Sequence, residues 1–264
     1  MRKMFSRIAL AVTLFVFASA AANANEAAYL KAPYADAGKV ASKLKGAGFQ
    51  VLTTYSPAKK ANLKVIVVTN SALKSAASKK LRGFAAIQKV LVDSKAKTVL
   101  TTNPTYWLKA FLQKDYNAGA ASSTKAALKK ALGTLTPTKD ALPAGKLAGY
   151  HFMLGMPYYQ DMETLKKGAK GVKSSKKLFA LKLPNGSTLY GVKMGKGAES
   201  FISTIGEDKA LVLPYTVLVE GGNAYALAPK YYLAISYPLL TMGQFMKISS
   251  APDTIVRSLK KAVQ

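Results

Sequence analysis

Several residue types are missing or scarce in this sequence, and each shortage excludes a class of chemistry. The chain has no cysteine, which excludes a disulfide framework, a thiolate metal site and a cysteine nucleophile. His151 is the single histidine, and no Gly-x-Ser-x-Gly elbow accompanies it, so a serine hydrolase has little support. The 12 acidic residues are too scattered for a calcium loop or a metal triad.

Long apolar runs are also missing, and the one candidate is too short to span a bilayer. Residues 8–18 are apolar, follow a basic start with Arg2, Lys3 and Arg7, and precede the small residues Ala22-Asn23-Ala24. This order is typical of a secretory signal peptide. The sequence therefore predicts a signal peptide over residues 1–24 and a periplasmic or secreted mature chain without a transmembrane segment.

Negative charge is scarce, whereas positive charge is abundant. Three of the 39 lysines and arginines lie in the predicted signal peptide, so 36 remain against 12 acids, a formal charge of +24. Arg82 and Arg257 are the two arginines left, and the lysines are spread in doublets instead of one tract. Base readout favours arginine in a concentrated patch, so no nucleic-acid partner is expected. An anionic small molecule or envelope polymer is the expected partner.

The mature chain repeats itself. Four short blocks recur 124 to 131 residues later in the same order: 32–34 and 156–158, 89–93 and 216–220, 103–107 and 228–232, 127–131 and 258–262. Spacing this regular indicates an internal duplication. We therefore predict a first repeat unit over residues 25–135, a linker over 136–148 and a second repeat unit over 149–264.

The order of predicted elements favours an α+β fold. Helical segments alternate with strands joined by tight turns such as Asn185-Gly186, and no glycine fingerprint of a doubly wound sheet is present. We expect two related lobes, each an antiparallel sheet with helices packed on one face. In the second unit the pattern predicts strands over residues 150–154 and 210–219, and helices over residues 161–167 and 197–205.

Short motifs in both units are similar to those of one known family. A helix ending at Gly48-Phe49, a strand and helix over residues 65–77, and the segment 213–219 carry the similarity. With these motifs the chain resembles the bacterial domain of unknown function family 302, in two diverged tandem copies. In the first unit, residues 84–87 depart from the Leu-Pro pattern seen at residues 213–214. The resemblance implies a fold and carries no established activity.

A repeated aromatic corner is the main candidate for ligand binding. Each unit has proline, then tyrosine and a second aromatic residue, with a lysine nearby; the candidate residues are Tyr106, Trp107, Lys109, Lys230, Tyr231 and Tyr232. Aromatic faces beside cations suit a flat or anionic ligand. The alternative is that these rings belong to the core and fix helix packing.

A second hypothesis is a copper(I) site, because soft thioether ligands suit that ion. His151 and Met153 would share a face of the predicted strand, and Met156 lies close by in the sequence. The opposing interpretation is that methionines fill gaps in the core. No other cofactor is predicted.

Taken together, these patterns favour an exported binding or accessory protein of the cell envelope over an enzyme. The expected mechanism is capture of an anionic ligand between the two lobes. Two alternatives stay open: a periplasmic copper protein using histidine and methionine, and an enzyme using lysine or tyrosine as acid and base. For the enzyme, the discriminating observation would be a buried lysine or tyrosine with a perturbed pKa beside a pocket.

Overall fold

The computed structural model describes residues 24–264, and the fold is α+β. The predicted signal peptide therefore lies outside the described residues, apart from Ala24. We call residues 24–148 the first half and residues 149–264 the second half. Within the described residues, no helix is both long enough and apolar enough to cross a membrane.

The first half contains eight strands and four helices. Its strands are β1 (Asn25–Ala27), β2 (Tyr29–Ala32), β3 (Gln50–Tyr55), β4 (Leu63–Thr69), β5 (Gln88–Asp93), β6 (Thr98–Thr102), β7 (Thr136–Pro137) and β8 (Ala141–Pro143). Its helices are α1 (Ala37–Gly46), α2 (Ser71–Ala76), α3 (Pro104–Leu112) and α4 (Ala118–Leu132). Six strands form an antiparallel sheet in the order β3-β4-β5-β6-β2-β7, while β1 pairs with β8.

Asparagine side chains begin three of these helices. Asn70, Asn103 and Asn117 precede α2, α3 and α4, and each side-chain oxygen accepts a hydrogen bond from a backbone N–H of the first turn. These bonds satisfy donors that a helix start otherwise leaves unpaired. Asn70 followed by Ser71 predicts a cap at the start of a helix, and this prediction is confirmed.

The second half contains five strands and four helices. Its strands are β9 (Glu163–Lys167), β10 (Lys177–Lys182), β11 (Thr188–Val192), β12 (Thr216–Glu220) and β13 (Asn223–Ala226). Its helices are α5 (Phe201–Ile205), α6 (Pro229–Ser236), α7 (Met242–Lys247) and α8 (Ala251–Ala262). The strands form one antiparallel sheet in the order β10-β11-β12-β13-β9.

The two sheets share the order of five strands. In each, four consecutive strands form a meander, and the strand that precedes the meander pairs with its last strand: β2 with β6, and β9 with β13. The first sheet has one further strand, β7, at its edge. The sequence blocks at 89–93, 103–107 and 127–131 and their echoes fall on corresponding elements. The block at 32–34 does not, because α1 follows it whereas strand β9 follows residues 156–158.

Several sequence predictions for the second half are wrong. Residues 150–154 are a loop, and residues 163–167 form strand β9 in place of a helix. The strand forms because β13 pairs with it along its length, an interaction that local periodicity does not show. Helix α5 is shorter than predicted, and the strand predicted from residue 210 begins only at Thr216, because residues 210–212 belong to a 3₁₀ segment.

The halves share one core. One face of the first sheet packs against α1 and α4, with Val40, Leu44 and Leu128 in contact with Ile66 and Val90. The other face belongs to a single apolar cluster that also includes the core of the second half. Helices thus cover one face of the first sheet, as predicted, and the second half covers the other.

An exchange of corresponding segments joins the halves. The 3₁₀ segment Gly83–Ala86, which precedes β5, packs on β11 and β12. The 3₁₀ segment Glu207–Val212, which precedes β12, packs on β4, β5 and β6. The predicted linker is also part of the fold, because β7 pairs with β2 and β8 pairs with β1.

Candidate functional site

Lys89 is the most unusual polar residue at the seam between the halves. It lies on β5, where every residue is buried, and it is 4% exposed. Its Nζ donates to the carbonyl oxygens of Val212 and Pro214, at 2.8 and 2.9 Å, and to Tyr232 Oη at 3.0 Å. These three acceptors all belong to the second half and match the three donors of an ammonium group.

Burial sets the protonation of Lys89. Removal from water disfavours the charged amine and lowers the pKa of Lys89 to about 7. No carboxylate of the described residues forms an ion pair with it. Burial likewise raises the pKa of Tyr232, so that its hydroxyl stays protonated at neutral pH. Lys89 and Tyr232 are thus a buried, hydrogen-bonded pair in which Lys89 is the group that titrates near neutral pH.

A small cavity adjoins this pair. Lys89, Thr102, Thr216 and Tyr232 supply its polar lining, and its volume is about 20 Å³. A cavity of that size holds about one water molecule. The seam therefore offers polar groups but no room for a substrate in the described conformation.

The four aromatic candidates from the sequence are buried, and Trp107 and Tyr232 line this cavity. Tyr106, Trp107, Tyr231 and Tyr232 are each at most 7% exposed. Tyr106 Oη donates to the carbonyl oxygen of Ile235 at 2.6 Å, across the seam. Trp107 and Tyr232 pack edge to face with ring centroids 5.8 Å apart. The structure thus gives these rings a packing role, and their contact with a ligand stays a prediction.

The two lysines of the same candidate site lie apart from these rings. The Nζ of Lys109 is 5.1 Å from the ring centroid of Tyr116. Lys230 is on the exposed side of α6. The structure does not bring either lysine into the cavity beside Trp107 and Tyr232.

Further hydrogen bonds close the seam. Tyr159 Oη donates to the carbonyl oxygen of Leu81 at 2.7 Å, and the backbone N–H of Leu81 donates to the Glu220 carboxylate at 3.0 and 3.2 Å. The backbone N–H of Ala58 donates to Glu199 Oε2, whose pKa burial raises. These hydrogen bonds between the halves favour a fixed arrangement over a cleft that opens.

The histidine and methionines of the copper hypothesis lie in a loop. His151 Nδ1 is 3.0 Å from the carbonyl oxygen of Met153, and its ring packs on Tyr158 at 4.4 Å. Met153 is 45% exposed and Met156 is half-buried. The strand face that was expected to align His151 with Met153 is absent, and copper binding by these residues stays a prediction. The described residues contain no cluster of three histidine or carboxylate side chains able to hold a metal.

The protein has an exposed apolar patch that was not predicted from the sequence. The most exposed large apolar side chains of the described chain all lie in two segments, and we define the apolar patch by them: Met153, Leu154, Tyr158, Leu239, Met242 and Met246. The rings of Phe152 and Phe245 pack together with centroids 5.4 Å apart, which places the two segments side by side. The helical spacing of Met242 and Met246 was the sequence signal for it.

The rest of the surface is basic. Lys89 is the one buried lysine among the described residues. Four basic side chains of those residues form ion pairs, namely Lys60, Arg82, Lys125 and Lys209. Most of the excess positive charge therefore faces solvent without a carboxylate partner.

Comparison with known proteins gives no relative. No family model, no curated protein and no solved structure matches the chain. The expected relationship to family 302 stays a prediction.

Proposed function

We propose that this chain is an exported, non-catalytic binding or accessory protein of the cell envelope, and that its lysine-rich surface holds an anionic partner. The observation that carries the proposal is the location of the charge. Of the basic residues that the structure describes, Lys89 alone is buried, so the large positive excess acts at the surface. A field of this sign concentrates anions near the protein.

The closed seam moves the expected binding from the interior to the surface. The cavity beside Trp107 and Tyr232 has a volume of about 20 Å³, which suits one water molecule. A polymer or lipid headgroup can reach the exposed lysines without any opening of the halves. We therefore favour surface binding over capture between two lobes.

Binding to charged and neutral polymers tests this proposal. We expect the protein to bind dextran sulfate and to ignore neutral dextran in isothermal titration at low salt. A matched pair of variants controls for fold: Lys129→Gln with Lys130→Gln removes charge at the exposed end of α4, whereas Ser122→Ala with Ser123→Ala leaves charge unchanged. Equal binding to both polymers by the wild-type protein would rule the proposal out.

Export is the second part of the proposal. Cleavage after Ala24 would leave β1 whole, because that strand begins at Asn25 and pairs with β8.

Internal duplication is the third part of the proposal. It is supported by the shared strand order, the three blocks on corresponding elements and the exchange of the two 3₁₀ segments.

A second candidate function is proton transfer by Lys89 and Tyr232. It is favoured by one observation, the buried Lys89 amine with its pKa lowered to about 7 and hydrogen-bonded to Tyr232. Amine labelling with acetic anhydride at pH 7.5, read by mass spectrometry, separates the candidates. An accessible active site requires Lys89 to react faster than surface lysines, whereas a structural role leaves it protected in the folded protein.

A further inference from the structure

The apolar patch exposes several large apolar side chains to solvent at one place on the surface. Leu154 is 97% exposed, Met246 is 64% exposed and Leu239 is 57% exposed. Such side chains usually mark an interaction site when they occur together. Elsewhere in the described chain the large apolar side chains are more covered, so the patch is a local feature.

The patch rests on an ordered base. The rings of Phe152 and Phe245 join its loop to α7, and α7 begins with a capping box in which Thr241 and Gln244 bond each other's backbone. Tyr158 is also fixed, because its backbone N–H donates to Asp161 at 2.9 Å. The exposed side chains of the patch therefore extend from an ordered loop and from helix α7.

Charge close to the patch is mainly positive. Residues 141–160 and 221–252, which include both segments of the patch, contain three exposed lysines, Lys146, Lys230 and Lys247, and no aspartate or glutamate. The Asp161 carboxylate lies at the patch as well, bonded to the backbone of Tyr158. Lys247 is on α7 with two of the patch residues, so an exposed cation adjoins the apolar side chains. An apolar patch on a strongly basic protein matches a surface that is apolar inside and anionic outside.

We propose that the apolar patch inserts into the interfacial region of an anionic lipid bilayer while Lys247 and other lysines of the basic surface contact the headgroups. This inference rests on the proposed function and names its partner. Leucine and methionine gain free energy by leaving water, and each lysine near an anionic membrane adds attraction. A second copy of the chain fits the patch less well, because both copies carry the same large positive charge.

The test compares wild type with the triple variant Leu154→Ser, Met242→Ser, Met246→Ser in co-sedimentation with vesicles. The vesicles contain either phosphatidylcholine alone or phosphatidylcholine with 30% phosphatidylglycerol. We expect wild type to bind the anionic vesicles and the triple variant to bind them at least ~10-fold more weakly, because three apolar contacts are lost. Dextran sulfate binding by the triple variant should equal that of wild type, since no charge changes.

Fluorescence gives a second readout. Trp107 is the single tryptophan and is buried, so a tryptophan introduced by Leu154→Trp reports on the patch. Its emission should shift to the blue on anionic vesicles. A control tryptophan from Ala126→Trp, on the exposed side of α4, should keep its emission.

Each contrary result has a distinct meaning. Equal vesicle binding by wild type and triple variant, or an unshifted Leu154→Trp emission, overturns the membrane inference and leaves the proposed function intact. Equal binding to neutral and anionic vesicles also overturns it. A wild-type dimer that the triple variant dissociates in ultracentrifugation would assign the patch to a second copy. If wild type binds neither anionic vesicles nor dextran sulfate, the proposed function itself fails.

Discussion

Trp107 and Tyr232 occupy corresponding places in the two halves and meet each other across the seam, with ring planes at 81°. Each follows the proline that opens its helix by three residues, Pro104 in α3 and Pro229 in α6. Tyr232 also accepts the hydrogen bond of Lys89. Through this contact the recurring aromatic residues pack in the core next to the buried Lys89, so their role in the described structure is packing.

Loss of the Tyr232 hydroxyl should destabilise the protein. Tyr232→Phe removes an acceptor of the buried Lys89 amine, and an unpaired buried donor costs about 1–3 kcal/mol. The adjacent Tyr231 provides a matched control, because its buried hydroxyl has no hydrogen-bond partner among the described residues. Tyr231→Phe should leave the free energy of unfolding unchanged or raise it. Urea unfolding of both variants checks this, and equal losses would contradict the role of the Lys89–Tyr232 bond.

The burial of Lys89 predicts a specific dependence of stability on pH. The pKa of Lys89 is lowered to about 7 in the folded protein, whereas lysine in the unfolded chain titrates near 10.4. Between these values the unfolded state binds more protons, so the free energy of unfolding rises with pH, by up to about 1.4 kcal/mol per pH unit. Below pH 7 both states are protonated and this dependence disappears.

Lys89→Met isolates this effect. The difference in unfolding free energy between wild type and Lys89→Met should change from pH 7.5 to 9.5 in favour of wild type. The buried tyrosines, whose pKa values burial raises, are the same in both proteins, so their effect on stability cancels in this difference. A difference that is constant over this range would show that Lys89 stays protonated in the fold.

The exchange of 3₁₀ segments predicts a contrast between two glycines. A Cβ at Gly83 would lie 2.4 Å from Leu218 Cδ1, in the contact between the first half and β12. Gly83→Ala should therefore destabilise the protein by about 1–3 kcal/mol through overpacking. Gly38 in α1 has open space around it, and Gly38→Ala should stabilise by roughly 0.5–1 kcal/mol. Thermal unfolding compares the two, and a neutral Gly83→Ala would mean that the halves pack more loosely than described.

Export predicts a defined mature end. Intact mass spectrometry of the protein recovered from its own cell envelope should give the mass of residues 25–264. Recovery of a chain that retains residues 1–24, in the cytoplasmic fraction, would contradict both the signal peptide and the envelope location.

The sequence predicted those elements that depend on interactions between residues close together in the chain. The hairpin at Asn185-Gly186 and the cap at Asn70 are present because turn and cap chemistry act over a few residues. Residues 161–167 were predicted as a helix, but residues 163–167 form strand β9. Its pairing with β13 comes from a distant part of the chain.

The candidate site depended on contacts that sequence spacing does not show. Lys89 reads as an ordinary strand lysine, since its acceptors lie 123 to 143 residues further along the chain. The apolar segments on either side of it, residues 84–87 and 90–92, were the available signal. The aromatic corners recur in the sequence, but their burial follows from the way in which the halves pack.

The salt dependence of binding to an anionic polymer tests the central claim most directly. If exposed lysines hold the partner, the dissociation constant for dextran sulfate should rise by about 10-fold or more between 50 and 300 mM salt, because counterions screen these contacts. A dissociation constant that is unchanged over this range, or the absence of binding at 50 mM salt, would contradict the assignment of function to the basic surface.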